Sequence, residues 1–230
     1  MDAQLRNKTL DVLRLQHFDS PTISNAIEAF RVRNLTEGYA TLELSSCFPE
    51  LTPMVGYAVT CIADSTSPEP MGPNRLPDLF DAVATAPKPT VVVIQHSGPD
   101  RMRSCFAGDV LCSCFQKLGA VGVVTDGGVR DLKGIRNRAK GFQAFACGTV
   151  VSHGTATILE VGVTLSICGL TIHPGDLVHG DQSGLLKVPL DIDNKLIDQG
   201  RLVQEKEEQF LKFLNSDAFS LEEMKARLSH

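Results

Sequence analysis

Apolar residues recur first at helical and then at strand spacing along the chain. Ile23, Ala26, Ile27 and Phe30 share one helical face, and Ser20 and Pro21 stand before them as a capping hydroxyl and a first-turn proline. This pattern predicts an amphipathic helix from about residue 21 to about 32. Gly56–Ala63 reads as a strand, Ser65–Pro77, with four prolines, as a loop, and Asp78–Ala86 as a helix. Thr90–Gln95 and Val121–Thr125 are runs rich in β-branched residues, as expected of strands buried on both faces, with a helical segment, Gly108–Leu118, between them. The three predict a strand-helix-strand crossover whose helix begins at Gly108-Asp109, and in such units ligands collect beyond the carboxyl ends of the strands.

After about residue 143 the texture becomes short strands punctuated by glycine and proline. Ala144–Cys147, Val161–Ile167, Leu170–Ile172, Leu177–Val178 and Leu185–Val188 are the expected strands, with turns at His173–Asp176 and Gly180–Gly184. Asp191–Leu214 predicts a long charged helix and Leu221–Leu228 a short one. No repeat or low-complexity segment interrupts this order. A single domain over residues 1–230 is expected, with N-terminal helices in about 1–50, a core in about 51–190 and C-terminal helices in about 191–230.

Composition narrows the function. Hydrophobic residues make up 43% of the 230, enough for a packed core, and 22 basic against 27 acidic side chains argue against direct nucleic-acid binding. The seven cysteines are odd in number, form no Cys-x-x-Cys pair and lie mostly in apolar runs, so neither a disulfide framework nor a zinc ribbon fits. A reducing, cytoplasmic setting is expected. The first residues lack a signal peptide's apolar core, and no stretch reaches the ~18 apolar residues of a membrane span.

Candidate chemistry concentrates between Gly108 and Asp131. The amides of a helix start at Gly108, Asp109, Val110 and Leu111 have no partners within the helix and suit a carboxylate, although Gly-Asp is also an ordinary way to begin a helix. Arg130-Asp131 follows Asp109 after twenty residues. An arginine at a helix start is mildly unfavourable unless an anion is bound there, and the aspartate beside it can ligate a hydrated magnesium ion; a local surface ion pair accounts for the two residues equally well. Asp126 reads as a turn former, and the six histidines show no zinc-binding spacing. His96, after the valine-rich strand, reads as a loop residue to watch, and Cys112 and Cys114 as core or near-core thiols on different helix faces.

The ordered set Gly108-Asp109-Val110-Leu111, Gly122 to Asp131, Pro174-Gly175-Asp176 and Gly180-Asp181-x-x-Gly184 resembles the RraA-like group, which contains 4-hydroxy-4-methyl-2-oxoglutarate aldolase and the regulator of ribonuclease activity A. The likeness runs over about residues 20–215. It implies an α/β fold of the swivelling β/β/α type, with central mixed sheets flanked by helices and a C-terminal helix. It also implies a homotrimer or homohexamer, and a metal-dependent aldolase that releases pyruvate from a 4-hydroxy-2-oxo acid and decarboxylates oxaloacetate. Under the resemblance the Gly108–Leu111 amides bind the pyruvyl carboxylate and Arg130 contacts the substrate oxygen. Asp131 holds Mg2+, or another divalent cation such as Mn2+, and Asp109 orients a water or the metal shell.

Three departures from the family pattern bear on the pocket: Asn25 in the early helix, Gln95-His96-Ser97 after the strand, and Met102–Ala107 without tryptophan. A carboxylate from the C-terminal helix of a neighbouring subunit, Glu205, Glu207 or Glu208, completes the site in one form the resemblance allows. Two other functions stay open: a non-catalytic inhibitor of a ribonuclease assembly, and a metal-dependent lyase or hydratase acting on another hydroxy acid.

Overall fold

The structure is a computed structural model, and it describes residues 12–229. The part of the N-terminal helical span in residues 1–11 lies outside them. Helix α1 (Ser20–Glu28) is capped one residue earlier than its sequence suggests, because Asp19 Oδ1 accepts from the Thr22 amide at 2.8 Å. Ser20, read as the cap, instead places its hydroxyl 2.9 Å from His179 Nδ1. The helix ends at Glu28 and Arg31 turns to φ 52°, so the predicted last turn is absent; from there to β1 (Ser45–Ser46) the chain is irregular.

An eight-stranded mixed sheet organises the molecule. Its centre is β2 (Met54–Asp64), which pairs in parallel with β3 (Thr90–His96). Beyond β3 follow β5 (Ala120–Thr125) and β7 (Gln143–Ala146), also parallel, and β1 closes that edge antiparallel to β7. On its other side β2 pairs antiparallel with β12 (Leu177–Asp181), which continues to β13 (Gly184–Val188), and β9 (Thr157–Val161) branches from the later half of β2. The three parallel crossovers carry α2 (Leu76–Thr85), α3 (Asp109–Lys117) and α4 (Leu132–Arg138).

Alternation along the parallel strands decides what each face packs against. Val92, Ile94, Val123 and Ala144 join Leu79, Val83, Phe115 and Ile135 of the crossover helices in one core. Val91, Val93, Val124 and Phe145 point the other way, onto the hairpin of β10 (Leu165–Ile167) and β11 (Leu170–Ile172). Each buried valine, leucine, isoleucine or phenylalanine among them contributes about 1.5–3 kcal/mol. A third core forms where α1 meets α5 (Asp193–Leu214) over Val55, Leu177 and Leu186. The last helix is α6 (Leu221–Leu228).

Several boundaries differ from expectation. The span 161–167 is two strands, because Gly162 at φ 75° turns the chain after β9. Gly180 and Asp181 belong to β12, so the turn to β13 is only Gln182-Ser183. Helix α2 begins at Leu76, with Pro77 in its first turn, where the missing amide hydrogen costs nothing.

Candidate functional site

A second, three-stranded parallel sheet builds the site. Strand β4 (Cys105–Ala107) pairs with β6 (Gly128–Val129), and β6 pairs with β8 (Gly148–Thr149). Gly108 and Arg130 are the residues immediately after β4 and β6, and the Arg130 amide donates to Ala107 O at 2.9 Å. The ladder therefore sets the α3 start beside Arg130-Asp131, although twenty residues separate them in the chain.

Gly108 is the N-cap of α3, in extended backbone, and no side chain caps the helix there. Its carbonyl accepts from Cys112 at 3.0 Å, so the turn is formed while the amides of Asp109, Val110 and Leu111 have no intrahelical acceptor. A β-carbon on Gly108 would stand 3.0 Å from Asp131 Oδ2 and 3.3 Å from Arg130 Nε. The glycine thus permits the contact between the helix start and the charged pair.

Asp131 is the N-cap of α4 and holds the left-handed conformation, φ 58° and ψ 35°, which, glycine apart, few residues other than asparagine and aspartate adopt. Its Oδ2 lies 3.2 Å from Arg130 Nε, and both side chains are partly exposed. Asp109, the first residue of α3, is ion-paired with Arg138 of α4. Gly134 makes that approach possible, since a β-carbon there would stand 2.6 Å from Asp109 Oδ2.

These groups border a cavity of about 360 Å³. Gly108, Asp109, Val110, Leu111, Arg130 and Asp131 all line it, so the six residues singled out in the sequence meet at one place. Two surface grooves, of about 570 and 620 Å³, are larger. The smaller cavity is the better candidate on chemistry, because a helix start, a guanidinium and a carboxylate converge in it. Sequence reasoning missed Leu76, Phe80 and His153, which complete the lining from α2 and from the loop after β8. No spacing signal could have found them, since only the contact of Phe80 on α2 with Phe115 on α3, and the pairing of β8 with β6, bring them near.

The donors suit a hard cation. Asp131 offers carboxylate oxygen at the cavity wall, and a single carboxylate with retained waters is a set magnesium accepts. Cys105 and Cys114 also line the cavity, but burial pushes the Cys105 thiol above its ordinary value and keeps it protonated. Cys112, buried on the opposite side of α3, is pushed up to about 12 by burial and, secondarily, by the Asp109 charge.

Other expected residues lie elsewhere. His96 ends β3 and is buried, so it is not a loop residue; its amide donates to Asp126 Oδ1 at 2.7 Å and its Nε2 is 2.9 Å from Gly98 O. Asp126 thereby ties β3 to the end of β5. Asn25 Nδ2 donates to Glu207 Oε1 at 3.4 Å, which joins α1 to α5 within the chain.

The family model described as RraA-like, Aldolase/RraA, matches residues 20–186. The chain belongs to the RraA-like family. A relative from Halalkalibacterium halodurans, provisionally named as a 4-hydroxy-4-methyl-2-oxoglutarate aldolase, is 28% identical over 141 residues, 61% of this chain and 65% of the relative. The chain thus spans just under two thirds of that relative's length. A solved structure from Pseudomonas syringae has a TM-score of 0.70 at 24% identity, covering 96% of this chain and 93% of the other. Streptomyces coelicolor RraAS2, described as an unusual member of the RNase ES inhibitor RraA protein family, has a TM-score of 0.66 at 22% identity, over 92% and 97% of the two chains. These two likenesses are of fold. The RraA-like chain has the mixed α/β architecture and C-terminal helix that its motifs imply, and no helix among the described residues is long and apolar enough to cross a membrane.

Proposed function

We propose that this RraA-like protein is a divalent-metal-dependent aldolase that cleaves a pyruvate-yielding 4-hydroxy-2-oxo acid, such as 4-hydroxy-4-methyl-2-oxoglutarate, and decarboxylates oxaloacetate. One observation carries the reading. Unpaired helix amides, the Arg130 guanidinium and the Asp131 carboxylate border one cavity, with Gly108 clearing the space between them.

In this reading the amides of Asp109, Val110 and Leu111 hold the substrate's C1 carboxylate, favoured by the dipole of α3. Arg130 donates to the C2 oxygen. As the C4 hydroxyl gives its proton to a water that Asp109 orients, C4 becomes a carbonyl, the C3–C4 bond breaks and its electron pair moves through C3 and C2 onto that oxygen, where the fixed guanidinium stabilises the enolate without reorganising. A water then returns a proton to C3. Asp131 holds the cation. Mg2+ or Mn2+, when bound, supplies Lewis-acid charge and lowers the pKa of coordinated water. Loss of carbon dioxide from oxaloacetate leaves the same pyruvate enolate, so the same residues serve both reactions. Asp109 orients the water around the site.

A second reading, a non-catalytic member that docks on a ribonuclease assembly, draws support from the ion pair between Asp109 and Arg138, which occupies one of the two carboxylates. The test is pyruvate release from oxaloacetate and from 4-hydroxy-4-methyl-2-oxoglutarate, with magnesium and with excess chelator, corrected for the metal's own background. Metal-dependent release that is lost in Arg130→Ala is the expected result. No release from either acid would favour the docking protein, or a lyase for another hydroxy acid. A homotrimer or homohexamer, which the family resemblance implies, is proposed, with a small oxo acid as the ligand, in the cytoplasm.

A further inference from the structure

Outside the cavity, the described residues contain one cluster of three potential metal ligands, Glu43, Cys147 and Cys168, whose ligand atoms lie within 4.8 Å of one another. The two sulfurs are 3.4 Å apart. Cys168 opens the two-residue turn of the β10–β11 hairpin, where it and Gly169 both have positive φ, 45° and 80°, the requirement of a type I′ turn. Its carbonyl accepts from the Thr41 amide at 2.8 Å. Cys147 lies between β7 and β8, and its amide donates to Gly127 O at 3.0 Å. Both backbones are therefore anchored, and the thiols face each other without being held by their own bond.

We propose that Cys147 and Cys168 are an oxidisable dithiol that a hydroperoxide converts to an intramolecular disulfide. The sulfurs need to close by only about 1.4 Å to reach the bonded distance. Cys147 is exposed and borders a cavity of about 120 Å³, room for a small peroxide, together with Arg101. Arg101 Nη1 donates to Cys147 Sγ at 3.5 Å and is 3.4 Å from Glu43 Oε2. Cys168 is buried and does not border this cavity, so the opening attack falls to the exposed Cys147; burial and then the hydrogen bond to Cys147 push the Cys168 thiol up to about 12.

The Cys147 thiolate attacks the distal peroxide oxygen, the O–O bond breaks, and the alkoxide or hydroxide leaves and takes up a proton. Cys147 is then a sulfenic acid. Cys168 Sγ attacks Cys147 Sγ, the S–O bond breaks, and the hydroxyl leaves as water with the Cys168 proton. Two thiols lose two electrons in total, and the hydroperoxide gains them. The alternative use of the cluster, a divalent-cation site, is opposed by the guanidinium, which already places positive charge 3.4–3.5 Å from two of the three ligands. A reversible disulfide is compatible with a reducing compartment, where such bonds are transient.

The full-length protein, reduced and desalted, is treated with hydrogen peroxide in small excess, blocked with a thiol alkylator and digested. The expected product is a cross-linked pair of peptides containing Cys147 and Cys168, restored to free thiols by dithiothreitol. In Cys168→Ser, a sulfenic-acid probe is expected to label Cys147; in Cys147→Ser, Cys168 remains reduced. Over-oxidation of Cys147 without a cross-link, a bond between two chains, or both thiols unchanged would overturn the proposal. So would one equivalent of zinc bound to the reduced protein and lost in both serine variants.

Discussion

Asp131 Oδ2 lies 3.0 Å from the point that a β-carbon on Gly108 would occupy, so glycine lets the helix start and the charged pair approach without displacing either side chain. Gly108→Ala shifts the Asp131 carboxylate by a few tenths of an ångström out of its alignment with the helix start, while the extended backbone accepts alanine. Loss of a charge-assisted contact is worth about 1.5–3 kcal/mol, so kcat/KM on the identified substrate is expected to fall roughly ten- to a hundredfold. The poorer cap costs stability only about 1 kcal/mol. Steady-state kinetics beside thermal unfolding separates the two effects; unchanged kinetics would remove Gly108 from the site.

Asp131→Asn keeps the left-handed backbone, which asparagine tolerates well, and removes the charge. Stability is expected to stay within about 0.5 kcal/mol, whereas metal-dependent turnover drops at least about a hundredfold. A folded variant that turns over at the parent rate would show that Asp131 holds no cation.

Arg138 is largely exposed, so its pair with Asp109 contributes little to stability. Arg138→Ala releases Asp109 toward the cavity. The half-saturating magnesium concentration is expected to fall two- to fivefold, roughly 0.5–1 kcal/mol, in a titration of initial rate. An unchanged value would mark the pair as a tie between α3 and α4 alone.

His179 is fully buried in β12 between Ser20 Oγ and Leu15 O, and burial holds its pKa below the ordinary 6.5. The unfolded chain takes up a proton as pH falls through about 6.5, and the folded protein does not. Stability is therefore flat above that pH and declines below it, with a slope from this group of up to about 1.4 kcal/mol per pH unit until the folded value is reached. Urea unfolding between pH 7.5 and 5.5 measures the slope, which is expected to shrink in His179→Gln.

The valine-rich strands, the crossover helix and the motif at Gly108 to Asp131 were legible because buried parallel strands and helix starts have local signatures. The capping of α1 was not. Ser20 is as good a capping residue as Asp19, and the choice between them rests on His179, 159 positions away. His96 looked like a loop residue because strand ends carry no period, yet its pairing with Ala63 of β2 extends β3 to include it, and Asp126 accepts from its amide. His153 and Phe80 left no trace at all.

By itself the sequence determined the order of the helices and of the longer strands, though not β1, β4, β6, β8 or β9, together with the two-faced burial of β3 and β5 and the residue types able to bind an oxo acid, since periodicity and helix-start chemistry act over a few neighbouring positions. Only the tertiary structure decided that Gly108 touches Asp131, that Arg138 occupies Asp109, and that Cys147 meets Cys168. Those relationships come from strand pairing between β4, β6 and β8 and from hairpin packing on β7, and pairing across twenty or more residues leaves no local pattern to read.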